Sequence, residues 1–200
     1  RVWGVYDIHE MSYLVLGLTN DYAFFNEEAS LTAARKLADF IVNRWSAEPS
    51  RIPGGTGQRA NMYGVTTGLD EALLTLYQVT KDQRYLDFCT KSEHYKLGDW
   101  NSTIKMDVQG QPYAMDDERH CYIFMALCVA QLQLNEIHKD ATLINQTKQA
   151  LDFLTREDGL LISGSCSQQE AWHDSQVISG NVSESCATAY QTRLMERTLR

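Results

Sequence analysis

The sequence predicts an all-α fold, an incomplete (α/α)6 toroid built from helical hairpins, and three observations lead there. A helix–turn–helix pattern recurs along the chain. Within each copy the apolar residues step by three or four, the period of a helix that buries one face. Only 3 of the 200 residues are proline, too few breakers for the many turns of a β-sandwich.

In the first copy, an inner helix opens near Tyr6 and runs to a turn after Tyr22. Leu31, Ala34, Leu37, Ile41 and Trp45 then draw one apolar stripe on an outer helix. The second copy has an apolar inner helix over 72–77. It ends in Leu76-Tyr77-Gln78-Val79-Thr80-Lys81-Asp82, and Leu86 is the first apolar landmark of its outer helix. The third repeats this as Leu134-Asn135-Glu136-Ile137-His138-Lys139-Asp140, with Ile144 in the place of Leu86. Its inner helix spans 121–132 and its outer helix carries Leu143, Thr147, Ala150 and Leu154. The register residues Tyr22, Tyr77 and Asn135 lie 55 and then 58 residues apart. A fourth inner helix starts at Glu184, with Ser183 as its expected cap.

The inner helices are apolar nearly all round and belong inside, while the outer ones are wet on one side. A lone hairpin cannot cover its apolar face, so hairpins stack until the array is capped or closes. Buried inner helices favour closure into a toroid, with an open solenoid as the alternative. Residues 1–200 read as one partial toroid domain. It opens at Arg1 without a methionine and ends at Arg200 inside a helical pattern, so it is expected to be cut at both ends. The long segments 48–61, 98–113 and 157–182 each lead into an inner helix. They are expected over one mouth of the central cavity, where long loops are often functional.

A net charge of −8 and the lack of a basic run argue against a nucleic-acid partner. The most apolar run, 121–130, is far short of the roughly 20 residues of a membrane helix, so no membrane partner is expected. The 5 cysteines are odd in number and form no close pair, so a disulfide framework is not expected. Cys121 and Cys128 read as small core residues. Asn101, Asn145 and Asn181 open glycosylation-type triplets, a pattern common by chance.

Titratable groups gather where the inner helices begin. The first has Asp7, His9 and Glu10, the second Asp70 and Glu71, and the third Asp116, Asp117, Glu118 and His120. The fourth has Glu184 and Cys186, with Glu170 and His173 upstream. Carboxylates around one cavity can exchange protons with a glycosidic oxygen, and histidines can hold hydroxyls. Trp3, Tyr6, Tyr63, Tyr113, Trp172 and Tyr190 offer faces for sugar rings, although aromatics also pack ordinary cores. Helix capping accounts equally well for Asp116, Asp117 and Glu71. His9 also fits a hydrogen-bonded core histidine, and Glu10 and His173 fit solvated surface positions.

Several strings resemble one family in order. Tyr6-Asp7-Ile8-His9-Glu10 resembles the Tyr-x-x-His-Lys opening of the first inner helix in glycoside hydrolase family 127 and its relatives, including family 146. Gly68-Leu69-Asp70-Glu71 with Leu76-Tyr77 and Tyr85-Leu86 resembles their second hairpin. His120 falls where the family has a histidine on its third inner helix. The string Gly164-Ser165-Cys166-Ser167-Gln168-Gln169-Glu170-Ala171-Trp172 resembles a Gly-rich loop that carries an acid. Glu184-Ser185-Cys186-Ala187-Thr188 resembles the Glu-Thr-Cys-Ala motif.

The resemblance implies an (α/α)6 barrel that hydrolyses L-arabinofuranosides, or related glycosides of plant or microbial polysaccharides, with retention. It implies a zinc-bound cysteine nucleophile, with Glu184 and Cys186 as zinc ligands and Glu170 as general acid/base. His9, Asp70, His120 and Trp172 would line the sugar subsite, and the location would be extracellular or periplasmic. Thiolate and carboxylate both suit zinc. The family's nucleophile comes from a Cys-Cys pair downstream that these 200 residues do not contain, so the chain alone is expected to be inactive. Glu10 stands where the family has lysine, and Thr80-Lys81-Asp82 where it has Thr-Gly-Asp. A carbohydrate-binding scaffold toroid and a zinc-independent toroid enzyme are the alternatives.

Overall fold

Asp7–Phe25 forms helix α1, whose buried residues Ile8, Ser12, Val15, Leu16 and Thr19 follow helical spacing along one stripe. Two of these are polar. The hydroxyls of Ser12 and Thr19 donate to the carbonyls of Ile8 (2.6 Å) and Val15 (2.7 Å), so neither enters the interior unsatisfied. The computed structural model describes residues 7–47, 68–91, 105–106, 112–113, 121–139, 144–156, 159–168 and 183–199. Among these, the chain is all-α apart from one two-residue ladder. Two compact units are present, Arg1–Asp99 and Trp100–Arg200.

In the first unit α1 packs on α2 (Glu28–Ala47) and on α3 (Leu69–Thr80), and α3 packs on α4 (Gln83–Lys91). The α2 stripe is Leu31, Ala34, Ala38, Ile41 and Trp45, all buried. Leu37, expected on that stripe, is only half-buried. Ala38 takes its place, keeping the steps of four, three and four, and its single methyl lets the helices approach closely. Helix α3 is buried without a break from Leu69 to Leu74 and again at Leu76, as an inner helix should be. The outer helices also meet. Tyr85 Oη donates to Asp39 Oδ1 at 3.0 Å, and the rings of Trp45 and Phe88 cross edge to face at 5.8 Å.

Three of the inner helices end in the same way. Asn26, Lys81 and Lys139 have φ of 58°, 57° and 56°, the left-handed conformation that stops a helix. Their amides donate to the carbonyls of Tyr22 (2.8 Å), Tyr77 (2.7 Å) and Asn135 (2.6 Å). Those three acceptors are the register residues of the sequence repeat. The next residue helps start the outer helix. Glu27 Oε1 accepts the Ala29 amide at 3.3 Å, and Asp82 Oδ1 accepts the Arg84 amide at 3.1 Å.

In the second unit, β1 (Lys105–Met106) and β2 (Pro112–Tyr113) pair antiparallel, Lys105 opposite Tyr113, and β1 lies against α6 (Asn145–Leu154). Helix α5 (Cys121–His138) is buried continuously over 124–131 and packs on α6 and on α7 (Ser185–Thr198). One polar side chain that it buries is met across the hairpin: Thr147 Oγ1 donates to Gln131 Oε1 at 2.6 Å. Tyr122 meets Tyr190 edge to face at 4.6 Å near the starts of α5 and α7. Arg197 Nη1 reaches both carboxylate oxygens of Glu136, at 3.0 and 2.9 Å, near their ends. Helices α5 and α7 therefore run in the same direction, as successive inner helices of stacked hairpins must.

Candidate active site

The loop after α6 is held close to the helix it leaves. The Leu160 amide donates to the Leu154 carbonyl at 3.2 Å. A Cβ on Gly159 would lie 2.5 Å from the Phe153 carbonyl oxygen, so only glycine permits this approach. The loop then turns back on itself. Gly164 takes φ of 79°, its amide donates to Leu161 O at 2.7 Å, and the Leu161 amide donates to Ser165 O at 2.8 Å. Cys166 and Ser167 follow, both buried.

This loop pairs with the start of α7. Cys166 and Glu184 form an isolated antiparallel bridge in which the Glu184 amide donates to the Cys166 carbonyl at 3.0 Å. The Cys166 amide donates to Thr188 Oγ1 at 3.3 Å, and that hydroxyl donates to the Glu184 carbonyl at 2.5 Å. Ser165 Oγ lies 2.7 Å from both Ser163 Oγ and Ser183 Oγ. Ser183 was the expected cap of the helix. Instead Glu184 occupies the cap position with extended φ and ψ of −89° and 119°, and its side chain makes no capping bond. The bridge to Cys166 draws Glu184 out of helical geometry, and Ser183 is engaged with Ser165.

Glu184 Oε1 accepts a hydrogen bond from Cys186 Sγ at 3.3 Å, and both residues are half-buried. Two ligands of one tetrahedral zinc, at about 2.0 Å for oxygen and 2.3 Å for sulfur, lie roughly 3.5 Å apart. The separation of these two donors thus fits one such ion between them. Among the described residues, no three His, Cys, Asp or Glu side chains form a group that could hold a metal. Cys166 lies beside this pair. A hydrogen bond from Cys121, at the start of α5, lowers its thiol pKa, and burial and the Glu184 carboxylate oppose that. All five cysteines are free thiols.

His9 is half-buried on α1, edge to face with Tyr13 at 4.9 Å. Asp70, by contrast, is 4% exposed, and its carboxylate acts on the buried Cys89 thiol of α4. Burial, together with the Asp70 carboxylate, raises that thiol well above its ordinary range. Asp70 therefore sits inside the second hairpin, and His9 lies nearer the surface of the first. Glu170, His120 and Trp172 lie outside the described residues. Sequence reasoning assigned no role to Cys166 or Thr188. A threonine four residues after Glu184 signals a hydroxyl-to-carbonyl bond within a helix, but its second partner, 22 residues away, has no local signal.

The family model for the β-L-arabinofuranosidase GH127 catalytic domain matches residues 1–200. The chain belongs to that family. No curated protein and no solved structure shows significant similarity to it. The strings Glu184-Ser185-Cys186-Ala187-Thr188 and 164–172 therefore sit in a glycosidase catalytic domain whose architecture is the α/α toroid. Membership makes the chain arabinofuranosidase-like and its substrate class carbohydrate. Among the described residues, no helix is long and apolar enough to cross a membrane.

Proposed function

We propose that the chain serves a retaining glycoside hydrolase that cleaves L-arabinofuranosides, in a ring of six hairpins, with zinc held in part by Glu184 and Cys186. The observation that supports this best is the 3.3 Å separation of Cys186 Sγ and Glu184 Oε1 at the start of an inner helix. Zinc bound there would supply positive charge that keeps a thiol ionised near neutral pH. Cys186 and Glu184 would give up their shared proton to bind it.

Glu170, four residues beyond Cys166 in sequence, is the proposed general acid/base. Its protonated carboxyl would donate to the departing glycosidic oxygen, and its carboxylate would then accept a proton from the incoming water. His9, His120 and Trp172 are proposed for the sugar subsite: the histidines for hydroxyls, the indole for a C–H face. Asp70 is proposed at the same subsite, near the start of α3.

The test is hydrolysis of p-nitrophenyl β-L-arabinofuranoside by the full-length protein, with the product anomer read by proton NMR. Release of the β-anomer first supports retention, and release of the α-anomer rejects it. Loss of turnover on chelation, restored by zinc, supports the ligand assignment. Full turnover in the metal-free protein favours a zinc-independent toroid enzyme.

A further inference from the structure

An antiparallel bridge of this kind ordinarily has two direct hydrogen bonds between its partners. Between Cys166 and Glu184 one is direct, from the Glu184 amide to the Cys166 carbonyl at 3.0 Å. The other runs through a side chain. The Cys166 amide donates to Thr188 Oγ1 at 3.3 Å, and Thr188 Oγ1 donates to the Glu184 carbonyl at 2.5 Å. The Thr188 amide also donates to that carbonyl, at 3.1 Å, which fixes the hydroxyl one helical turn beyond Glu184.

We propose that Thr188 is a positioning residue: its hydroxyl completes the Cys166–Glu184 bridge and so holds the Glu184 carboxylate against the Cys186 thiol. Three observations join in this. Glu184 is extended rather than helical, so the helix does not itself fix its side-chain direction. Cys166 is fully buried and anchors the bridge in the core. The Glu184–Cys186 contact spans only two residues across a helix start, where a small change in the Glu184 backbone swings the carboxylate away. The role of the pair as metal ligands rests on the function proposed above. The clamp itself does not.

The experiment uses the full-length protein with Thr188→Val, which keeps the shape and removes the hydroxyl, and Thr188→Ser, which keeps the hydroxyl. Thr188→Ala is read beside them and should behave as the valine variant does. Zinc affinity is measured by competition with a chelator, and amide exchange over 161–167 by mass spectrometry. Thr188→Val is expected to weaken zinc binding about 10- to 100-fold, the usual range for a group that orients a ligand. It should also speed exchange in the loop, with kcat falling and KM little changed, and Thr188→Ser should restore all three. Wild-type zinc affinity and unchanged loop exchange in both hydroxyl-free variants would overturn the proposal. If the wild-type protein binds no zinc, the functional reading fails and exchange decides the clamp alone. Faster exchange rescued by serine keeps it, and unchanged exchange ends it.

Discussion

The amide of Lys81 closes helix α3 by donating to the carbonyl of Tyr77 at 2.7 Å, with Lys81 in the left-handed conformation. A side chain bearing a Cβ is strained there by roughly 1–2 kcal/mol. Glycine relieves the strain but loses more entropy on folding, about 0.5–1 kcal/mol. The Lys81 ammonium also lies 5.7 Å from the Tyr77 ring centroid, an exposed contact worth little. Lys81→Gly is expected to raise stability by up to about 1 kcal/mol, and Lys81→Val to lower it. Urea unfolding at neutral pH measures both, and a destabilised glycine variant would contradict the account.

Asp82 starts α4 by accepting the Arg84 amide, and its carboxylate pairs with the Arg84 guanidinium at 2.6 Å. The hydrogen bond from Arg84 holds its pKa below the ordinary value. A carboxyl depressed in this way binds its proton less tightly folded than unfolded. Its contribution is complete above the unfolded value of about 3.9 and is lost as pH falls through the lower folded value. Asp82→Ala should cost about 1 kcal/mol at pH 7, as for other lost caps. The gap to wild type should narrow below pH ~4. Thermal unfolding of both proteins across that range tests the sign.

Cys186 is the one cysteine of the five that is not buried. Burial raises the Cys89 thiol well above its ordinary range and pushes Cys128 up to about 12. Cys166 is held lower by Cys121 but is enclosed. Iodoacetamide at pH 8 should label Cys186 at least about tenfold faster than the others. Added zinc should slow that labelling if the proposed ligand pair is correct. Peptide mapping by mass spectrometry reads both, and first labelling at Cys89 would refute the burial argument.

Asp70 on α3 and Cys89 on α4 are both buried, and the Asp70 carboxylate acts electrostatically on the Cys89 thiol. Asp70→Ala leaves a cavity in a buried hairpin and takes the carboxylate away from the Cys89 thiol. A loss of about 1–3 kcal/mol is expected. The double variant with Cys89→Ala should lose less than the sum of the single changes, since the two residues share the interaction. Additive losses on urea unfolding would show that they act separately.

Glu170→Gln in the full-length protein should abolish turnover of alkyl arabinofuranosides, whose leaving groups need a proton. Hydrolysis of the p-nitrophenyl glycoside should be slowed less, because that leaving group departs without one. Equal turnover of alkyl glycosides by variant and wild type would remove Glu170 from the acid role.

The hairpins were legible in the sequence because helix period and turn chemistry act over four residues or fewer. Tyr22, Tyr77 and Asn135 each lie four residues before the left-handed residue that closes their helix, so the repeat in the sequence marks the same local turn each time. The apolar stripe was legible on the same terms, though Ala38 displaced Leu37 within it. Glu184 and Cys186 stand out in the sequence only through the motif that they resemble, and their 3.3 Å contact is a feature of the fold.

Three features required the tertiary structure. Ser183 has the chemistry of a cap, yet Glu184 holds that position, because Ser165 engages Ser183 and Cys166 straightens Glu184. Asp70 reads as a cavity carboxylate, and only the fold shows that it is 4% exposed with the Cys89 thiol of α4 under its influence. Thr188 reads as an ordinary helix residue, yet it completes a bridge to a loop 22 residues earlier. The sequence determined which segments are helices and where each one stops, since those interactions are local. Which polar groups meet depended on chain closure over some 20 residues, and only the packed fold brings such partners together.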